Sequence, residues 1–242
     1  MLSTAASEKA RKYIETHSKL ISTENINKEL ITGPCITISR ETGAGADEVS
    51  GALVEFLKPY TANEIEWTVF DRNLIEKVLQ DHHLPMYLSS LMAEEKYSAI
   101  KSIMNEILGG EPGIWSLVHK TTETILQLAQ IGNVILLDRG ANFITFKLKN
   151  CFHVRLVSTL EDRVNHIQEL FGFNKKDALE FIKKEDIDRK NYVMTYFHKD
   201  ITDPLQYHMV LNTHLINENE AAQIIGSSLI KKLPMFFKNI LL

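Results

Sequence analysis

The fold is decided by the stretch Cys35-Ile36-Thr37-Ile38-Ser39-Arg40-Glu41-Thr42-Gly43-Ala44-Gly45-Ala46-Asp47-Glu48-Val49, which predicts a strand, a glycine turn and a helix in succession. Its first five residues are mostly β-branched and apolar, as in a strand that is buried on both faces of a sheet. Apolar residues then recur at helical spacing from Asp47 to Leu57. At such a turn, backbone N–H groups and a helix N-terminus converge on an anion. The segment therefore predicts a phosphate-binding loop at Gly43 and Gly45.

This loop departs from the pattern G-x-x-x-x-G-K-[ST] at three positions. Arg40 stands where the first glycine belongs, Ala46 replaces the lysine, and Asp47 or Glu48 stands where a magnesium-binding hydroxyl is expected. The same residues also fit a plain turn in which Asp47 caps the helix that follows. Its position in the first strand–helix turn favours ligand binding, because ligands bind at the carboxyl ends of parallel strands.

The rest of the chain alternates short apolar runs with longer helical patterns. Further strands are predicted over 66–70, 133–137, 152–157 and 207–211, and helices over 72–80, 160–171, 175–196 and 218–233, with two or three more between 86 and 130. Crossovers of this length predict a right-handed parallel sheet. The predicted fold class is therefore α/β, with five parallel strands and helices on both faces.

The composition excludes several classes of protein. The 242 residues include 27 lysines and arginines against 31 aspartates and glutamates, a net charge of −4, so the basic surface that binds long nucleic acid is not expected. Cys35 and Cys151 are too few for a disulfide framework or a four-cysteine zinc site. No apolar run approaches the roughly 18 residues that cross a bilayer, and no signal-peptide pattern opens the chain. We expect a cytoplasmic protein without a membrane span.

Four local patterns occur in a fixed order along the chain. They are Ile36-Thr37-Ile38-Ser39-Arg40-Glu41-Thr42-Gly43-Ala44-Gly45, Phe70-Asp71-Arg72-Asn73-Leu74-Ile75, Asp138-Arg139-Gly140-Ala141-Asn142-Phe143 and Leu205-Gln206-Tyr207-His208-Met209-Val210-Leu211-Asn212-Thr213. In order and spacing they resemble the cytidylate kinase-like family, a branch of the P-loop nucleoside monophosphate kinases. The resemblance covers roughly residues 34–230.

The resemblance implies a three-layer P-loop kinase-like fold with a mobile helical lid. Residues 31–242 would form the P-loop kinase-like domain, with a helical insertion at about 82–131 and the lid at about 172–200, and residues 1–30 are predicted to be a helical appendage. The activity that it implies is transfer of the ATP γ-phosphoryl group to a small acceptor, a nucleoside monophosphate such as CMP. The implied cofactors are ATP and Mg²⁺.

The resemblance also implies the residues of the site. The nucleotide-binding loop would comprise Ser39, Arg40, Glu41, Thr42, Gly43, Ala44, Gly45, Ala46 and Asp47. Asp71 and Arg72 would lie at the acceptor nucleotide, and Arg139 on its phosphate. Asp186 and Arg189 match the D-x-x-R pattern of the lid, whose arginine reaches the phosphates during transfer.

Three departures from the family pattern bear on the chemistry. Ala46 stands where cytidylate kinases have lysine, although glycine is usual in the kinase-like branch, and Asp47 stands where that branch has arginine. We hypothesise that Arg40 leans across the loop and replaces the missing lysine. Asp138 stands where the branch has glycine, so it is a candidate carboxylate for Mg²⁺. Arg40, Arg139, Asp186 and Arg189 are the predicted catalytic residues.

The sequence is compatible with two functions. The retained Arg139, Asp186 and Arg189 favour an active kinase, whereas Ala46 and Asp47 favour a weak or inactive nucleotide-binding pseudokinase that acts as a regulatory or interaction module. The predicted partner is a nucleotide or another small acceptor, and a homodimer remains open.

Overall fold

The computed structural model describes residues 8–17, 33–61, 66–71, 94–108, 116–138 and 140–238. The predicted helix over 72–80 and Arg139 lie outside the described residues. The elements, in chain order, are α1 (8–17), β1 (Cys35–Arg40), α2 (Ala46–Leu57), β2 (Thr68–Phe70), α3 (Glu94–Leu108), α4 (Ser116–Ile131), β3 (Val134–Leu137), α5 (Ala141–Ile144), β4 (Cys151–Val157), α6 (Leu160–Phe171), α7 (Lys175–Phe197), β5 (Met209–Asn212) and α8 (Glu218–Lys232).

The five strands form one parallel sheet in the order β2-β3-β1-β4-β5, which confirms the predicted fold class. β1 is central, and its Ile36 pairs with Ile135 of β3 and Phe152 of β4. All four residues of β3 and all but the last of β1 are buried. Such continuous apolar strands form because helices cover both faces of the sheet.

The predicted start of β5 at residue 207 is wrong. The strand begins at Met209, because the N–H of Tyr207 bonds to the carbonyl of Pro204 (3.2 Å) and closes a 3₁₀ turn instead of joining the ladder. β2 likewise begins at Thr68 rather than at residue 66. The helices over 47–57, 160–171, 175–196 and 218–233 are each confirmed to within one residue.

Two buried clusters hold the helices to the two faces of the sheet. On one face, α2 and α8 pack on the sheet and on each other through residues such as Leu53 and Ile225. On the other face, residues from α3, α4, α5 and α7 form the second cluster, which includes Phe143 and Phe197. The turns at the carboxyl ends of the strands therefore lie between two helical layers.

Helix α1 packs into the second cluster. Its Ala10, Tyr13 and Ile14 are buried, and the Tyr13 hydroxyl donates to the carbonyl oxygen of Gly132 at 2.7 Å. The division into an appendage of residues 1–30 and a domain of residues 31–242 stays a prediction. Among the described residues, no helix is both long enough and apolar enough to span a membrane.

Capping residues set the ends of the two helices that follow β4. Thr159 accepts a hydrogen bond from the N–H of Asp162 at the start of α6, and Gly172 ends that helix in the left-handed conformation. Asn174 then caps α7 through the N–H of Asp177. Side-chain acceptors of this kind replace hydrogen bonds that the first turn lacks. We call α7, which occupies most of the predicted lid, the lid helix.

Candidate functional site

A cavity of about 610 Å³ opens at the carboxyl ends of β1 and β3, between the glycine turn and the lid helix. We call residues 39–47 the glycine loop. The predicted site residues that line the cavity are Ser39, Arg40, Thr42, Gly43, Gly45, Ala46, Asp47, Asp71, Asp138 and Arg189. Glu41, Ala44 and Asp186 are not part of its lining. Arg72 and Arg139 lie outside the described residues.

The glycines give the loop its shape. Gly43 has φ +85° and Gly45 has φ +71°, a left-handed conformation that other residues adopt only at a cost. Gly43 also packs so closely on α6 that a Cβ atom there would lie 2.7 Å from the carbonyl oxygen of Arg163. Gly45 caps α2, whose N-terminus faces the cavity. The turn thus has the backbone form that an anion-binding loop requires.

Arg40 lies between two carboxylates. Its Nε is 3.1 Å from Asp138 Oδ2, and a terminal nitrogen is 3.1 Å from Asp47 Oδ2. Burial lowers the pKa of Arg40, but the two carboxylates outweigh burial and raise that pKa above its ordinary value. The guanidinium therefore remains charged beside the loop, where the hypothesis of a lysine substitute needs it.

The lid helix contacts the loop at Thr42. Asp186 Oδ1 accepts hydrogen bonds from the backbone N–H (2.8 Å) and the hydroxyl (2.6 Å) of Thr42. Arg189 donates to the Thr42 hydroxyl (2.6 Å), and its Nε lies 3.3 Å from Asp138 Oδ2. The i,i+3 pair of the lid therefore faces the loop rather than solvent.

Arg163 on α6 joins these groups and was not predicted from the sequence. Its NH1 donates to Asp186 Oδ2 (2.7 Å) and to the Thr42 carbonyl (3.4 Å), and its Nε lies 3.7 Å from Glu41 Oε2. A single arginine in the first turn of an amphipathic helix is not part of a sequence motif that would predict a role in the site. The position of Arg163 follows from the strand order. Because β4 lies beside β1, the helix that follows β4, α6, lies next to the glycine loop.

Asp138 is the structure's best candidate for a metal ligand. It adopts φ +63° at the end of β3, and its Oδ2 faces both Arg40 and Arg189. Its Oδ1 is buried without a hydrogen-bond partner among the described residues. No group of three or more His, Cys, Asp or Glu side chains in the described ranges is arranged to hold a metal. One free carboxylate oxygen fits Mg²⁺ that is held mainly by phosphates and water.

Ser39 is in contact with two further residues that the sequence did not single out. Arg155 on β4 donates to the Ser39 hydroxyl at 3.1 Å, and the Tyr207 hydroxyl lies 3.3 Å from the same oxygen. Burial raises the pKa of Tyr207, so it remains a neutral phenol. The register predicts this arrangement once the strand order is known, because Ser39 and Arg155 are paired residues of β1 and β4.

No curated protein matches the chain. An uncharacterized protein from Eubacterium ventriosum ATCC 27560 has the same fold, with a TM-score of 0.62 and 19% identity over 82% of this chain and 98% of that one. A shikimate kinase from Bacteroides thetaiotaomicron is a more distant match, with a TM-score of 0.42 and 14% identity over 83% of this chain and 98% of that one.

The family assignment comes from the sequence of the domain itself. The sequence model of the cytidylate kinase-like family matches residues 35–215, which run from the first residue of β1 to just beyond β5. The matched segment includes the glycine loop, Asp138 and the lid helix, and it is much more than half of the chain. The chain belongs to the cytidylate kinase-like family.

Proposed function

We propose that this protein transfers the γ-phosphoryl group of ATP to a small acceptor, a nucleoside monophosphate such as CMP. One observation carries the proposal: a left-handed glycine loop at the end of β1 shares a single cavity with Arg40 and the lid arginine Arg189. Membership of the cytidylate kinase-like family supports the same class of reaction. The cavity of about 610 Å³ is within the range of small-ligand sites.

The chemistry requires positioning and positive charge more than covalent participation by the protein. An acceptor oxygen attacks the γ-phosphorus in line, the bond to the β-phosphate oxygen breaks, and ADP leaves. The loop amides around Gly43 and Gly45 would hold the donor phosphates, while Arg40 and Arg189 stabilise the charge on the transferred group. Arg72 and Arg139 are proposed to hold the acceptor.

Carboxylates accept hydrogen bonds from the donor groups to which phosphate oxygens would bind. Asp138 engages Arg40 and Arg189, and Asp186 engages the Thr42 N–H. Bound phosphates would therefore replace these carboxylates as hydrogen-bond acceptors. The lid helix would then shift, because the hydrogen bonds between Asp186 and Thr42 would break. We expect nucleotide binding to be accompanied by movement of the lid helix.

Mg²⁺, when bound, would neutralise charge on the phosphates of the donor. Asp138 lines the cavity, and its Oδ1, which is buried without a hydrogen-bond partner among the described residues, is the protein oxygen that would hold the ion. Asp47 and Asp71 also line the cavity and would orient its water ligands. The remaining coordination would come from phosphate and water.

A nucleotide-binding module with little or no turnover is the second candidate. It is favoured by Ala46, which leaves the loop without the usual lysine, and by the pairing of Arg40 with Asp47 and Asp138. Loss of one such charge-assisted contact typically lowers the rate by about 10²–10³. The lack of both the lysine and a substitute would leave binding without useful turnover.

A coupled assay of ADP release tests the proposal over a panel of nucleoside monophosphates and small hydroxyl acceptors. We expect ATP- and acceptor-dependent turnover that falls by about 10²–10³ in Arg189→Ala. Lys190→Ala, next to it on the lid helix and exposed, is the matched control and should retain the wild-type rate. Arg139→Ala tests the residue proposed to hold the acceptor.

Thermal stability distinguishes the two candidates. ATP-dependent stabilisation with turnover supports the kinase, and stabilisation without turnover supports the binding module. A melting temperature that does not respond to saturating ATP and Mg²⁺ would contradict both.

A further inference from the structure

A buried arginine without an acidic partner lies beneath the glycine loop. Arg155 is only 5% exposed, and it donates a hydrogen bond to the Ser39 hydroxyl at 3.1 Å. It also interacts with the Tyr207 hydroxyl, and its guanidinium carbon lies 5.9 Å from the centroid of the Tyr207 ring. Among the described residues, no carboxylate forms an ion pair with it. A buried charge without a counter-ion is costly, and buried charges in proteins are normally paired. Arg155 is therefore a candidate to bind an anion from outside the chain.

The groups around Arg155 are also rich in hydrogen-bond donors. Asn142 is 3% exposed, and within the part of the chain that the structure describes its Nδ2 has no well-formed hydrogen bond. It stands close enough to the Tyr207 hydroxyl to affect the pKa of that group, as do Ser39 and Arg155. The Tyr207 hydroxyl itself donates to the carbonyl oxygen of Ile201 at 2.8 Å. The cluster thus combines a cation and an amide donor with no acidic acceptor.

The nearby acidic residue does not neutralise this cluster. Arg155 helps to lower the pKa of Asp200, but the largest contributions come from hydrogen bonds that Thr202 donates to that carboxylate. Asp200 is exposed and accepts both the N–H (2.9 Å) and the hydroxyl (2.8 Å) of Thr202. Both of these hydrogen bonds go to Asp200 Oδ1, and Asp200 acts on Arg155 only as a nearby charge, with no ion pair between them among the described residues.

The cluster reaches the main cavity. Ser39 and Asn142 both line it, together with Thr37 and Ile201, on the side where β1 and the start of α5 meet. Ser39 directly precedes Arg40 of the glycine loop, so a group bound at Ser39 would be a near neighbour of phosphates on the loop. Arg155 itself does not line the cavity, so an anionic group of a ligand would approach it past Ser39 and Asn142.

We propose that Arg155, Asn142 and Ser39 form an anion subsite at the floor of the cavity, which binds a phosphate or carboxylate group of the acceptor. The assignment to the acceptor rests on the proposed function, whereas the binding of an anion does not. Two guanidinium N–H groups in a fixed fork suit phosphate and carboxylate oxygens equally well. The amide of Asn142 and the hydroxyl of Ser39 supply the neutral donors that fix its orientation.

The stability of a charge-removing variant gives the first test. Arg155→Gln keeps a polar side chain but removes the buried charge, and we expect its melting temperature in phosphate-free buffer to equal or exceed that of the wild type. Its apparent affinity for inorganic phosphate, measured as the response of the melting temperature to phosphate concentration, should weaken by about 10-fold to 100-fold. Lys58→Gln removes the same charge from an exposed position and should leave that response unchanged. A destabilised Arg155→Gln protein with an unchanged phosphate response would overturn the proposal.

Nuclear magnetic resonance gives a second measurement that is independent of activity and of phosphate bound elsewhere. The Nε–H resonance of Arg155, identified by its loss in Arg155→Gln, should shift on titration with inorganic phosphate, acetate or CMP. A shift with phosphate and CMP alone assigns a phosphate group, and a shift with acetate assigns a carboxylate. A resonance that responds to none of them overturns the subsite.

The same titration separates this proposal from the proposed function. If ATP neither stabilises the protein nor supports turnover but phosphate shifts the Arg155 resonance, the kinase proposal fails and the anion subsite stands. If turnover occurs and Arg155→Gln has the wild-type KM for the acceptor together with a wild-type phosphate response, the kinase proposal stands and the subsite fails.

Discussion

At Thr42, a single residue connects the glycine loop to the rest of the site. Its N–H and hydroxyl are held by Asp186, its hydroxyl also accepts from Arg189, and its carbonyl faces Arg163. Three charged side chains from two helices therefore converge on one loop residue. The Thr42 N–H, which would face a phosphate under the proposed function, donates a hydrogen bond to the Asp186 carboxylate.

The two glycines of the loop should differ in their tolerance of a side chain. Gly43→Ala places a Cβ at 2.7 Å from the Arg163 carbonyl, in addition to the left-handed backbone cost, whereas the nearest atom to a Cβ at Gly45 is Glu48 Oε2 at 3.8 Å. The backbone cost alone is about 1–2 kcal/mol. We expect Gly45→Ala to lower the free energy of unfolding by about that amount and Gly43→Ala by clearly more. Urea denaturation measures both, and equal losses would show that the contact with α6 is unimportant.

The glycine positions could be predicted from the sequence because the need for them is local. A turn between a strand and a helix calls for residues with positive φ, and Gly43 and Gly45 are the residues that provide it. Arg163 and Arg155 could not be predicted in this way. Their partners lie on β1 and the lid helix, so their roles depend on which strands are neighbours.

At the scale of elements, the lid helix is fastened to the loop by polar contacts more than by apolar packing. Asp186 and Arg189 make the contacts with the loop, and the apolar cluster between α6 and this part of the lid helix is small and centred on Ile167 and Ile182. The last turns of the lid helix, with Val193 and Phe197, pack in the second cluster. Polar contacts of this kind can be exchanged for contacts with a ligand without loss of the core. Under the proposed function, bound phosphates would replace these contacts and release the lid helix from the loop.

Asp186→Asn should loosen the attachment of the lid helix to the loop. The amide side chain keeps its shape but loses the charge that holds Arg163 and the Thr42 N–H. Hydrogen bonds to charged groups contribute about 1.5–3 kcal/mol, so we expect the Thr42 amide to exchange with solvent at least about tenfold faster. Hydrogen exchange measured by NMR gives this rate.

A neighbour on the lid helix supplies the control for this prediction. Asp188→Asn removes the same charge from an exposed position of the same helix and should leave exchange at Thr42 unchanged. If both variants exchange at the wild-type rate, the Asp186 contact does not hold the lid helix to the loop.

Element boundaries were the less predictable part of the fold. Helices α6, α7 and α8 follow their sequence periodicity because each has its own capping residue, Thr159, Asn174 or Asn217. β5 begins later than its apolar pattern predicts, because Tyr207 is committed to the preceding turn. Strand ends depend on hydrogen bonds to neighbouring segments, which the composition of the run does not encode.

For the whole molecule, the parallel sheet carries the site on one edge and two helical layers hold that edge in place. The layer that contains α1, α4 and the lid helix shares a single buried cluster with residues of the sheet. Tyr13 lies in this cluster beside Phe70 of β2, with ring centroids 5.3 Å apart. The N-terminal helix is therefore coupled by packing to the strand that leads to Asp71.

Tyr13→Ala should test whether the N-terminal helix is part of the folding unit. The side chain is 3% exposed and its hydroxyl donates to Gly132, so its removal leaves a cavity and an unpaired carbonyl. Large-to-small substitution of a buried aromatic residue typically costs about 3–5 kcal/mol, and we expect a loss of that order in urea denaturation. Lys12→Ala, the exposed neighbour that pairs with Glu66, should change stability by at most about 0.5 kcal/mol. Similar values for the two variants would instead mean that residues 8–17 are a dispensable appendage.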